Sequence, residues 1–281
     1  MSYGPNPWQQ AHWDWRAAGN FICGGAGSGL LVFAALSGVP DPGLSGLILG
    51  GLALVWLGLF CVWLEIGRPW RALHVVFNPR TSWMSREALT AMLLFPAALA
   101  AATIMPGLLP VTAALALFFI FCQGRMLRAS RGIPAWREPL VVPLIAVTGL
   151  TEGAGLFFFS ALLHQAGTPG LLTLFGALLL ARVLLWLAYR KRLARQAAPR
   201  ALAALDRAGR WLQIAGALLP LTLIAAIAIG ATPAALAPLL AASAGFMAVL
   251  AGSFMKYTLI TRGSFNQGFA LVHLPVRGVR Q

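Results

Sequence analysis

The densest set of chemically capable side chains runs from Glu65 to Glu87. Glu65-Ile-Gly-Arg-Pro-Trp-Arg-Ala-Leu-His74 is followed by Phe77-Asn-Pro-Arg-Thr-Ser-Trp83-Met-Ser-Arg-Glu87. Arg68, Arg71, Arg80, Arg86, two carboxylates, two tryptophans and a histidine thus crowd into one short segment. An anchoring loop at a membrane edge uses a few Lys or Arg and a Trp or Tyr, and this segment carries more than that. The combination suits a pocket that holds a polar head with an apolar tail, and a quinone is such a ligand. Its reduction takes two electrons and two protons, so a site needs donors to the ring carbonyls, an apolar wall and a proton path. Arg68, Arg71, His74 and Trp83 can donate, while Glu65 and Glu87 can pass protons. Ser85 is placed to cap the helix that follows. Glu87, in its first turn, then suits the positive helix end as well as it suits catalysis. Upstream, the arm Trp8-Gln-Gln-Ala-His12-Trp13-Asp14-Trp15-Arg16 leads into a helix that carries Asn20 and the pair Gly25/Gly29. His12, Asp14 and Asn20 can complete the pocket wall, and the glycine pair permits close helix approach.

The elements that must position these groups are membrane helices. Of 281 residues, 59% are hydrophobic and 10% charged, and the mean hydropathy is +0.79, which excludes a soluble domain with a polar coat. At about 20 residues per crossing, the apolar content suffices for about eight. Apolar stretches fall at 17–37, 43–65, 87–106, 108–127, 139–163, 168–189, 211–231 and 234–258. A count of seven is the alternative, since one break rests mainly on Pro106, Gly107 and Pro110. The expected fold is therefore an all-α integral membrane protein with eight transmembrane helices and both termini cytoplasmic. It is one anchor domain over 1–281, comprising an interfacial arm (1–16), a basic cytoplasmic loop (190–210) and a docking tail (259–281). Of the 21 Lys and Arg residues, 20 lie in or beside the termini and alternate loops, and Arg182 is the exception. That asymmetry is a positive-inside signature, so the net charge of +14 reports orientation rather than nucleic-acid binding. The 190–210 stretch reads as a plain basic loop, with an interfacial amphipathic helix as the other possibility.

Two ionisable residues lie deep in the spans. Rise arithmetic puts Glu152 roughly 20 Å and Arg182 roughly 12 Å from the cytoplasmic edge, and an ion pair between them or a proton-conducting carboxylate are the two readings. Cys23, Cys61 and Cys122 lack metal-binding spacing and read as packing residues. The histidines, His12, His74, His164 and His273, sit in arms, loops or span ends, which does not suit axial haem ligation. No haem is expected, so electrons must come from another subunit.

These segments resemble the DmsC/NrfD-type membrane anchor subunits of molybdopterin oxidoreductase complexes. LEIGRPWRAL and SWMSREA (64–73 and 82–88) are similar to that family's histidine-leucine-glycine-x-proline-x-arginine-alanine segment and the serine-x-x-serine-x-glutamate that follows it. HWDW (12–15) and TRGSFNQG (261–268) are similar to its two ends. The resemblance implies that Arg71 and Glu87 lie near a quinone site, for ubiquinone or menaquinone. It also implies a four-cluster ferredoxin-like iron-sulfur subunit docked on the basic loops. That partner would carry [4Fe-4S] clusters, and a molybdopterin catalytic subunit would carry a Mo-bis-pterin guanine dinucleotide. Where the DMSO reductase anchors have a histidine, this chain has Glu65, so the proton handling departs from theirs. The charge pattern places the docking face inside the cytoplasmic membrane. This is similar to anchors of phenylacetyl-CoA-oxidising complexes and implies a cytoplasmic substrate such as an aryl-acetyl-CoA. The expected role is therefore a quinone-binding subunit of a membrane-bound oxidoreductase. A small-solute transporter coupled through Glu152 and Arg182, and a purely structural anchor, are the competing classes.

Overall fold

The computed structural model describes residues 4, 6–37, 43–66, 69–164 and 169–268. Among these residues the fold is built from eight long helices. They are α1 (Trp15–Ser37), α2 (Gly43–Glu65), α3 (Trp83–Thr103), α4 (Pro106–Ala129), α5 (Val141–His164), α6 (Pro169–Leu193), α7 (Pro199–Ala228) and α8 (Ala234–Arg262). A 3-10 helix, Pro69–Phe77, links α2 to α3. Seven of the eight are long and apolar enough to cross a membrane. The eighth, α3, is 21 residues long, but its first two turns carry Ser85, Arg86, Glu87 and Thr90, which dilute its hydropathy.

Contacts at both ends show how α3 lies. Ser45 Oγ near the start of α2 donates to the Ala102 carbonyl near the end of α3 at 2.7 Å. At the opposite end, Trp63 and Ile66 share a cavity wall with Met84 and Glu87. Helix α3 therefore runs antiparallel to α2 over essentially its whole length. The starts of α1, α3, α5 and α7 gather at one end of the bundle with the ends of α2, α4, α6 and α8. Three bonds tie this end together: Arg16 Nη1 to the Leu64 carbonyl at 2.9 Å, Trp136 Nε1 to the Leu259 carbonyl at 3.0 Å, and the Tyr189 hydroxyl to the Ala135 carbonyl at 2.7 Å. The N-terminal arm pairs there with residues 264–267. Gln9 bridges Phe265, and the Trp8 and Asn266 backbones are joined by a 2.9 Å bond.

Helix α5 is the central pillar, packed on α1, α4, α6 and α8. Its approach to α1 is set by glycine. A Cβ added at Gly29 would meet the Gly149 carbonyl and Gly153, and one added at Gly153 would collide with the backbone of Gly29 and Leu30. Gly25 and Gly29 thus interlock with a second pair, Gly149 and Gly153. On another face of α5, Gly155 meets Gly245 of α8 backbone to backbone. Without a hydrophobic force between helices in lipid, such close backbone approach supplies the packing energy.

Three helices contain π-turns, at Asn20–Gly24, Ile214–Leu218 and Thr258–Arg262. A π-turn shifts the hydrogen-bond ladder and leaves carbonyls available to other donors.

Two sequence expectations are corrected. The 190–210 stretch is not a loop: α6 continues through Leu193 and α7 begins at Pro199. The first fifteen residues of α7 are amphipathic and bury Ala201, Leu205 and Ala208, while Asp206 pairs with Arg190. Lys256, counted by its position among the charges at the membrane edge, is fully buried. An aliphatic stem and an ammonium satisfied inside the bundle make that burial tolerable.

Substituting Gly153→Val should cost about 1–3 kcal/mol through overpacking against α1. In a thermal melt of the detergent-solubilised protein, its midpoint should fall well below that of Gly46→Ala, a position where an added Cβ meets nothing within 4 Å. Equal midpoints would contradict the glycine-locked contact.

Candidate functional site

Helix α3 starts at Trp83 with Ser82 as its N-cap, whose hydroxyl accepts from the Ser85 amide at 3.2 Å. The cap therefore falls three residues earlier than Ser85, the residue expected from sequence. This start turns Glu87 inward, where it is 2% exposed. Its Oε1 accepts from Asn20 Nδ2 at 3.2 Å, a contact that replaces the backbone capping role. Asn20 is itself buried, at the start of the first π-turn, and its carbonyl accepts from Gln123 Nε2 at 2.9 Å.

Two cavities flank this bond. The larger, about 300 Å³, is walled by Trp56, Phe60, Trp63, Met84 and Glu87. The smaller, about 110 Å³, is walled by Trp13, Asn20, Phe21, Glu65 and Met126. Val62, Ile66 and Met84 line both, so the Asn20–Glu87 bond crosses the partition between them. Trp56, Phe60 and Trp63 form a stack with centroid spacings of 5.2 and 5.7 Å and remain exposed on the outer face of α2. The larger cavity thus opens on an aromatic outer surface and ends at a buried carboxyl. This combination fits a flat ligand with a polar edge and an apolar tail.

Of the residues singled out from sequence, Glu65, Asn20 and Glu87 meet around these two cavities. Asp14 does not: it caps α1, accepts from the Arg16 amide at 2.8 Å and pairs with Arg16 Nη2 at 2.9 Å. The Arg16 guanidinium holds its carboxyl below the usual carboxylate range. His12 is exposed on the arm. His74 is exposed on the 3-10 helix, with its ring edge-on to Phe77 at 5.8 Å. Trp83 lines neither cavity and stacks with Arg86 and Arg125. Arg68 lies outside the described residues, as does the side chain of Arg71. Gln123 is the member of the site that sequence reasoning missed. A lone buried glutamine in an apolar helix is the signal that would have found it.

Deeper in the bundle, Glu152 and Arg182 sit at equal depth, each eleven residues from its helix end (152 minus 141, 193 minus 182). That is about 16 Å at 1.5 Å per residue. The unequal depths expected from sequence disappear because α6 runs on to Leu193. The expected Glu152–Arg182 pair is also corrected. The carboxylate Oε2 bonds Lys256 Nζ at 2.6 Å, and Lys256 also donates to the Phe21 carbonyl at 2.8 Å. Arg182 donates instead to the Ala248 carbonyl at 3.0 Å and the Gly216 carbonyl at 2.5 Å. Gly252 leaves the space into which both Glu152 Oε1 and Arg182 Nη1 project. Gly25 similarly accommodates Lys256 Nζ and Gln123 Oε1. A row of buried polar groups therefore runs Glu87, Asn20, Gln123, Lys256, Glu152, Arg182 across the bundle.

Lys256→Met would strand the Glu152 charge and should destabilise the protein by about 3–5 kcal/mol, whereas adding Glu152→Met should restore most of that loss. Thermal midpoints of the two single variants and the double variant check this. An additive double variant would show that the pair is not coupled.

Compared with models of known protein families and with curated proteins, the sequence finds no match in either.

Proposed function

We propose that this chain is the quinone-binding membrane anchor of an oxidoreductase complex. It would exchange electrons between a docked iron-sulfur subunit of a molybdoenzyme and the membrane quinone pool. One observation carries the reading: the cavity of about 300 Å³ that joins an exposed Trp56–Phe60–Trp63 stack to the buried Glu87 carboxyl. A quinone supplies a two-electron, two-proton couple in a lipid-soluble form. The aromatic side chains would hold its ring and tail, and Glu87, held by Asn20, would give or take a proton at a carbonyl oxygen. Glu65, at the wall of the adjoining cavity, lies toward the loop-bearing end, where protons can reach water. The segment resemblance to DmsC/NrfD-type anchors supports the same assignment.

The crossing number belongs to this reading too. The paired ends of the described chain lie on one face of the bundle, which an even number of crossings requires. Counting α3, which is coextensive with α2, makes eight. Among the described residues, the Lys and Arg other than the buried Arg182 and Lys256 gather at that same end, and the positive-inside rule makes it cytoplasmic, which implies a cytoplasmic substrate for the catalytic partner. Transport is a weaker reading, because Glu152 and Arg182 are bound to Lys256 and to backbone carbonyls.

The assembly isolated from its native membrane should contain Mo, Fe and acid-labile sulfide. In it, Glu87→Gln should lower quinone-coupled turnover by about 10²-fold or more, the usual scale of one acid-base group, and spare dye-coupled turnover. Equal loss of both activities would remove the quinone pocket. Cysteine labelling should reach residue 80 from the cytoplasmic side and residue 107 from the opposite side; labelling of both from one side would overturn the topology.

A further inference from the structure

The outer face between α3 and α4 carries a cluster that the quinone reading does not use. Arg86 and Arg125 both stack on the Trp83 ring, with guanidinium carbons 4.0 and 4.4 Å from its centroid. Phe121 closes the edge, 5.7 Å from Trp83 and 5.7 Å from the Arg125 guanidinium. Arg86 is pinned by bonds to the Pro79 carbonyl at 2.7 Å and the Arg80 carbonyl at 2.9 Å. Among the described residues Arg125 has no such bond, and no carboxylate pairs with either guanidinium. Glu87, the neighbour of Arg86 in sequence, is turned away from it toward Asn20.

Two half-buried cations without a counter-charge, fixed in place before any ligand arrives, form an anion site. Its position identifies the anion. Arg125 is four residues from the end of α4 (129 minus 125), about 6 Å inside the helix terminus, at the level where headgroups meet acyl chains. Toward the membrane centre the same face continues as exposed apolar side chains: Phe118, Leu117 and Val111 on α4 and Leu93 on α3. A soluble anion or an acidic protein surface has no use for that floor, whereas a phospholipid needs it.

We infer that the Trp83–Arg86–Arg125 cluster binds the phosphate of an anionic phospholipid whose acyl chains lie along the α3–α4 face. The two guanidiniums donate to phosphate oxygens, Trp83 and Phe121 hold the glycerol region, and the absence of a nearby carboxylate disfavours a choline headgroup. Because α3 also presents Glu87 to the interior, the bound lipid would brace the helix that carries the proposed pocket.

The test uses the full chain, purified in detergent and stripped of lipid, then offered equal amounts of phosphatidylglycerol and phosphatidylcholine and read by native mass spectrometry. The wild-type chain should retain phosphatidylglycerol preferentially. Arg125→Gln should reduce that preference about ten-fold or more, the scale of one lost hydrogen bond to a charged group. Arg128→Gln, on the exposed rim of the same helix end, should leave it unchanged. Arg125→Lys keeps the charge and the fold but loses the planar stack, and should fall between the two. Equal effects of Arg125→Gln and Arg128→Gln would reduce the site to diffuse surface charge and overturn the assignment. Unchanged lipid retention in Arg125→Gln, with weaker recovery of partner subunits from the native membrane, would assign the cluster to a protein contact instead.

Discussion

A carboxylate, an ammonium and a guanidinium placed in hydrocarbon must find partners within the protein, because no water competes for them there. In this bundle the partners come largely from backbone that helices normally keep for themselves. The first π-turn offers the Asn20 carbonyl to Gln123 and the Phe21 carbonyl to Lys256, and the second offers the Gly216 carbonyl to Arg182. The third accepts from Trp136 at Leu259 and from Gln10 at Ile260. Each local break in helical geometry is thus matched by a donor from another part of the chain, so the polar contacts and the helix packing specify one another.

Glycine makes that matching possible. Lys256 reaches Glu152 and Phe21 past Gly25, and Glu152 and Arg182 converge in the space left by Gly252. The Gly25/Gly29 and Gly149/Gly153 pairs bring α1 against α5 closely enough for an ammonium from α8 to bridge them. Larger residues would separate the helices and leave the charges apart. In the interior, then, small side chains serve electrostatics as much as packing.

At the loop-bearing end the same logic yields a division of labour along one helix. The N-cap at Ser82 sets the start of α3, from which Glu87 turns to Asn20 on α1 while Trp83 and Arg86 stack with Arg125 of α4. The acidic group therefore meets the cavity partition, while the basic groups meet on the α4 side.

The membrane class, the helix boundaries to within a few residues except at the start of α7, and the clustering of charge at alternate connections follow from the sequence, since hydropathy and Lys/Arg placement are local quantities that lipid reads directly. Glu65, Asn20 and Glu87, which line the two cavities, were also legible as candidates, because a polar group beside an apolar span stands out in one dimension. The amino-acid order did not reveal the partner of Glu152, the burial of Lys256 or the role of Gln123. Each depends on helix rotation and on contacts between residues a hundred or more positions apart, and only packing in three dimensions sets these. Arg182 and Lys256 both carry a positive charge; whether either faces Glu152 was decided by the glycine-lined approach of α1, α5 and α8, a fact of tertiary geometry rather than of composition.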